Sequence, residues 1–194
     1  MFHVKQNRQI VKANRSWGKT RKQVTRQTGY DTMKETDNQN TGRQTHMVIR
    51  EIKENKKQYI TLLLLADEQE SMIDRYLENG SMYVLEDEGS VRCECVVAEQ
   101  ENGVLEIKNI ATVPDSQRKG YGKAMIGFLA RQYAGKYSHL FVGTGDSPLT
   151  VPFYEKCGFV RIGSIQNCFL EHYDHPIFEC GVRLTDMILL QKQI

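Results

Sequence analysis

The sequence predicts a mixed α/β domain around one sheet. Three observations carry that reading. From Met47 onward, strand-like and helix-like segments follow in the order β, α, α, β, β, β, α, β, α, β, β. The breaks "EDEGS" and "EQENG" are hairpin-like turns between three consecutive strands. Two closely spaced glycines, Gly120 and Gly122, sit in a basic turn between a strand-like run and an amphipathic helical one.

In chain order, "MVIREI" alternates apolar and polar residues as a half-buried strand does. Helical segments follow in "KKQYITLLLLA" and "DEQESMIDRYLENG", the second closing at Asn79-Gly80. "SMYVLEDE", "SVRCECVVAEQ" and "VLEIKNIATV" read as strands. After the glycine turn and its helix come a strand "HLFVGT", a short helix near "LTVPFYEKC", and two late strands, "FVRIGSIQNCFL" and "VRLTDMILLQK". "LEHYDHPIFECG", between those two, is expected to be a loop on the substrate side, with His172 and His175 as substrate contacts or plain surface residues.

At 194 residues the chain suits one domain with an appendage. Its net charge of +2 is unevenly placed. Residues 1–46 hold ten Lys/Arg and three Asp/Glu, whereas residues 47–194 hold sixteen and twenty-one. The first segment lacks a sustained apolar period and reads as disordered. Three explanations fit it: a start codon upstream of a working start at Met33 or Met47, a basic arm touching nucleic acid, or an organelle presequence. No apolar run approaches the roughly 20 residues that span a bilayer, so no membrane segment is expected. Five cysteines without a framework spacing point to a reducing compartment, hence the cytoplasm. Cys93 and Cys95 would share one strand face, and without a second Cys or His pair they read as thiols rather than metal ligands.

The run "NIATVPDSQRKGYGKAMIGFLARQY" is the most informative stretch. The first turn of a helix leaves backbone N–H groups without partners, and the helix dipole adds partial positive charge there. Glycines at 120 and 122 remove the Cβ atoms that would hold an anion away, and Arg118, Lys119 and Lys123 add charge. The stretch therefore suits a phosphate. It has neither the G-x-x-x-x-G-K-[ST] spacing of a Walker loop nor the third glycine of a dinucleotide fingerprint.

Val113, Pro114, Gln117, Gly120, Gly122 and Ala124 form V-P-x-x-Q-x-x-G-x-G-x-A, and "PFYEKCGF" follows downstream as F-Y-x-x-x-G-F. Together these resemble the acyl-CoA loop and the later aromatic element of the GCN5-related N-acetyltransferase (GNAT) superfamily, over about residues 47–190. The resemblance implies a mostly antiparallel sheet with a splayed strand pair forming an acyl-CoA cleft, in a domain spanning 47–194. It implies acetyl-CoA as co-substrate, no metal, and direct transfer to a primary amine in a ternary complex, in a monomer or homodimer. The pantetheine and thioester would be bound by backbone groups of Ile110, Ala111, Thr112 and Val113. The pyrophosphate would be bound by Gln117, Arg118, Lys119, Gly120, Tyr121, Gly122 and Lys123, with a further contact from Ser147.

Tyr154 matches the family's general acid and Glu106 a recurrent base, with Asp146 a second candidate. By alternation Glu106 would share a face with Lys108, Ile110 and Thr112 unless a bulge intervenes, and a pairing with Lys108 is its alternative reading. Arg118 stands where many members have glycine, at a position that favours positive φ. Direct transfer leaves Cys157 without a covalent role. The competing class is a non-catalytic acyl-CoA-binding module tethered to nucleic acid by its basic arm; Tyr154 together with Glu106 favours the enzyme.

Overall fold

Three hairpin-linked strands carry the first half of the sheet. In this computed structural model the described residues are 47–194; the readings for residues 1–46 lie outside them. β1 (Val48–Ile52), β2 (Ser81–Asp87), β3 (Ser90–Gln100) and β4 (Val104–Thr112) are successive antiparallel neighbours. β5 (His139–Gly145) runs parallel to β4, and β9 (Met187–Gln193) inserts antiparallel between β5 and β6 (Val160–Ile165). The seven-stranded order is β1-β2-β3-β4-β5-β9-β6, mixed and mostly antiparallel as expected. Among the described residues, no helix is long and apolar enough to cross a membrane.

Helical periodicity decides what covers each face. α3 (Tyr121–Gln132) presents Tyr121, Met125, Ile126 and Leu129, spaced to form one apolar stripe. With Val151 and Tyr154 of α4 (Thr150–Lys156) and Cys157 just after it, that stripe closes a core on Cys93, Cys95, Leu105 and Ile107. The two β3 cysteines thus share one face, as predicted, and it is a buried one. On the opposite face, α1 (Ile60–Leu63) and α2 (Glu70–Leu77) cover Met82, Val84 and Val96. A third cluster, Val104, Phe141, Met187 and Leu189, lies on that same face under α5 (Cys168–His172).

Two late elements differ from the sequence reading. The predicted strand over residues 159–170 ends at Ile165, and Cys168 starts a helix. Asn167 adopts a left-handed conformation (φ 55°) and gives its N–H to Asp186 Oδ1 at 2.9 Å, which turns the chain; Cys168 and Phe169 then pack down as α5. The predicted strand at the C-terminus is also interrupted. Val182–Arg183 (β8) pairs with Phe178–Glu179 (β7) in a small hairpin before β9 begins. That hairpin occupies part of the expected loop.

Glu94, on β3, is fully buried facing α1 and α2. Burial pushes its pKa up to about 8, the amide of its cross-strand neighbour Ala111 offsetting only part. A carboxyl raised above its unfolded value binds more protons in the folded state, so its stabilisation is lost as pH rises through that interval. Burial raises Asp67 (to about 6) and Glu106 in the same direction. The unfolding free energy is therefore expected to fall between about pH 5 and about pH 8. Glu94→Gln flattens that dependence, as urea denaturation at both ends of the range measures; an unchanged slope would refute the assignment.

Candidate active site

The β4–β5 ladder has only four registered pairs, ending at Ile107↔Val142. Beyond it β4 continues to Thr112 along β3, and β5 continues to Gly145 along β9. Each strand follows its outer neighbour, and the sheet opens into a V. A cavity of about 400 Å³ occupies the opening, lined on its strand sides by Lys108 to Thr112 and by Val142 to Gly145.

At one end of the V lies the basic turn. Gly120, at the N-cap of α3, has φ 93°, a conformation that L side chains rarely adopt. No side chain caps the helix, whose first backbone bond is Ala124 N–H to Gly120 O, so the N–H groups of Tyr121, Gly122 and Lys123 precede the helical ladder. Arg118, Lys119 and Lys123 are exposed around this helix end. A Cβ at Gly122 would stand 3.1 Å from the Phe153 ring, so the helix start approaches α4 closely. Arg118 does adopt the left-handed region (φ 60°), the position at which glycine was the family expectation. Tyr121 faces inward and donates its hydroxyl proton to Asp87 Oδ2 at 2.6 Å.

The strand side divides the remaining expected residues. Ile110, Ala111, Thr112 and Gln117 line the cavity, and Gln117 Nε2 reaches Thr112 O at 3.4 Å. Val113 does not keep its amide for a ligand; its N–H bonds Arg92 O at 2.9 Å. Ser147 is buried away from the cleft lining, and its Oγ accepts from Leu149 N–H (3.1 Å) and Thr150 N–H (3.2 Å). That hydroxyl is therefore engaged at the N-terminus of α4.

Tyr154 lines the cavity from the α3–α4 face, between the rings of Phe153 and Phe159. Burial raises its phenol pKa, with Cys95, Cys157, Glu179 and Cys93 adding to the effect, so the hydroxyl holds its proton. Glu106 lies on the other face. The β3–β4 register shifts between Val96 and Val97, leaving Lys108 as an extra residue in β4. This bulge reverses the expected parity: Ile110 and Thr112 pair with Cys95 and Cys93 toward α3, whereas Glu106, Asn109 and Ala111 face α1, α2 and α5. Glu106 pairs with Lys108 at 3.0 Å, both side chains nearly inaccessible. Burial raises its pKa and Lys108 opposes that rise.

Other sequence candidates stand apart. Asp146 is exposed, 4.0 Å from Arg161 and outside the cavity lining. His172 bonds Cys168 O, and His175 bridges Asp174 and Glu68 on the surface. Among the described residues no group of three His, Cys, Asp or Glu is arranged to hold a metal ion.

Sequence reasoning missed several lining residues, among them Asn109, Asp67, Tyr76 and Glu179. Asn109 donates Nδ2 to Leu63 O (3.0 Å) and Tyr76 Oη (2.8 Å). Asp67 and Tyr76 come from the segment that covers the far face, and Glu179 comes from the hairpin, bonded by Thr150 Oγ1 at 3.1 Å. Asn109 stood in the run already singled out and Glu179 in the segment expected on the substrate side; Asp67 and Tyr76 carry no local signature.

Comparison with known proteins agrees with this geometry. The family model for the acetyltransferase (GNAT) domain matches residues 78–161. The uncharacterised N-acetyltransferase YvbK of Bacillus subtilis is 36% identical over 141 residues, covering 71% of this chain and 90% of that one. The chain belongs to the GNAT acetyltransferase family. A GNAT acetyltransferase from Elizabethkingia anophelis, solved with acetyl-CoA bound, superposes with a TM-score of 0.72 at 31% identity, over 76% of this chain and 98% of that one. A Bacillus subtilis acetyltransferase solved with CoA gives 0.70 at 31% identity, over 76% and 99%. The GNAT assignment covers the sheet, the V and the glycine turn together.

Ser147→Ala removes a helix-cap acceptor and is expected to destabilise the fold by about 1 kcal/mol in urea denaturation. CoA affinity, measured by calorimetry on the same variant, stays within about twofold; a loss of about tenfold at unchanged stability would assign the hydroxyl to the ligand instead.

Proposed function

We propose that this acetyltransferase uses acetyl-CoA to acetylate a primary amine by direct attack in a ternary complex. The observation that carries the reading is the V itself. It has an uncapped glycine helix start at one end, and Tyr154 and Glu106 line it from opposite faces of the sheet. The residues present fit the co-substrate: backbone N–H groups and exposed cations suit its pyrophosphate. The unladdered edge of β4 from Ile110 to Thr112 suits its pantetheine amides. Acetyl-CoA, when bound, supplies the activated acyl group.

The chain's own groups do three things. An amide on the open edge of β4 donates to the acyl oxygen, where negative charge grows during attack. Glu106, its carboxyl raised by burial toward the pH at which an ammonium can be relieved of a proton, accepts that proton on the amine side. Tyr154 gives its phenolic proton to the departing sulfur on the other side. A thiol with an ordinary pKa of about 8.5 leaves more readily when a proton is delivered to it. Lys108 keeps Glu106 oriented and partly offsets the cost of its burial.

Tyr154→Phe is expected to lower kcat by roughly a hundredfold, because general-acid help is worth about that much or more. Its acetyl-CoA Kd should stay within about twofold. Glu106→Gln is expected to lower kcat/KM for the amine similarly. Thiol release with an amine panel reads the rates, and calorimetry reads the Kd. Full activity in Tyr154→Phe would remove the acid role.

A further inference from the structure

The cavity is polar at the sheet, and its walls away from the sheet combine charged side chains with a run of apolar ones. Glu106, Lys108 and Asn109 form its floor on the far face. Asn109 is 3% exposed, and with Nδ2 given to Leu63 and Tyr76 its Oδ1 has no partner among the described residues. The walls are Met72 of α2 and a run of apolar side chains from the late elements that interrupt the predicted strands: Phe169, Tyr173, Ile177, Phe178 and Leu184. Phe169 and Tyr173 stack with centroids 5.6 Å apart and planes at 21°. The described residues expose eight large hydrophobic side chains, and three of them, Leu65, Leu149 and Phe178, stand around this cavity. Apolar groups gathered on a concave surface mark a place that an apolar ligand covers.

The carboxylates on these walls already have partners. Glu106 has Lys108 at 3.0 Å, Glu68 has His175 at 3.2 Å, and Glu179 has Thr150 Oγ1 at 3.1 Å. Asp67 accepts from Gln69 N–H at 3.4 Å, and Arg75 adds a positive charge to the same wall. A ligand with several ammonium groups would meet the cations Lys108 and Arg75 on the same walls, whereas a ring would replace water against Phe169, Tyr173 and Phe178.

We infer that the acceptor is an arylalkylamine in chemical class, a single primary amine on an apolar, ring-bearing body. Its nitrogen lies at the sheet end and its ring between Phe169, Tyr173 and Phe178. This rests on the transferase reading above, and a binding measurement separates the two. The full chain saturated with CoA is titrated calorimetrically with phenethylamine and with spermidine, as wild type and as Phe178→Ala; Phe178 is 59% exposed, so its truncation leaves the core intact. Phenethylamine is expected to bind at least about tenfold more tightly than spermidine, with most of that preference lost in Phe178→Ala. Equal or tighter binding of spermidine, no binding of either amine, or an unaffected Phe178→Ala overturns the inference. Phenethylamine binding with the expected preference, but no acetyl transfer from acetyl-CoA, supports the pocket assignment and sinks the transferase mechanism alone.

Discussion

A sheet can open only where each parting strand keeps its other neighbour. β4 is laddered to β3 along its whole length and β5 to β9 along its whole length, so separation after Ile107↔Val142 costs the fold one edge on each strand and nothing more. Backbone groups on those two edges still demand hydrogen bonds. The opening is thus a slot whose walls are donors and acceptors, a surface that suits the amides of an extended chain better than it suits bulk apolar matter. Insertion of β9 between β5 and β6 makes this arrangement possible, because a lone β5 would have no ladder left where it leaves β4.

The slot also connects two chemically different halves. On one face α3 and α4 bring cations, an uncapped helix end and a proton-holding phenol. On the other, α2, α5 and the β7–β8 hairpin surround a buried carboxylate–ammonium pair with aromatic side chains. Neither face contains both the phenol and the carboxylate. Burial acts on both with the same sign, raising each pKa, yet its consequence differs: the phenol becomes a more secure proton carrier and the carboxylate a stronger base.

Much of this could be read from residues alone. Gly120 and Gly122 after a strand, with Arg118, Lys119 and Lys123 beside them, already specify an uncapped helix start ringed by cations, because the requirement is local: backbone freedom and charge at a helix start. Strand order was likewise legible from alternation. What was not legible depended on distant partners. Ser147 sits at a position where the family motif expects a polar contact, but its neighbours Leu149 and Thr150 claim the hydroxyl. Asn167 turns the chain because Asp186, nineteen residues on, takes its amide, and a pattern count along "FVRIGSIQNCFL" cannot see that acceptor. The aromatic wall joins Phe169, from the run misread as strand, to Tyr173 and Phe178, from the segment expected on the substrate side; α5 and the hairpin that position them depend on tertiary packing.

The extra residue at Lys108 has a meaning beyond its own contacts. In a strand, position along the chain decides side by parity, so one added residue works like a shift of reading frame for everything after it. Upstream of Lys108 the even-numbered residues look toward α1, α2 and α5; downstream the odd-numbered ones do. Point substitutions in Asn109 to Thr112 therefore tune each half of the slot separately. A strand that kept Lys108 in regular pairing with Val96 would instead exchange the halves, turning Ile110 and Thr112 toward α1 and α2 and Asn109 and Ala111 toward α3, whereas a deletion at 108 would leave all four where they are. The sequence would be the same with the bulge and without it, so the two surfaces of the slot are set by the pairing of one residue and not by the motif around it.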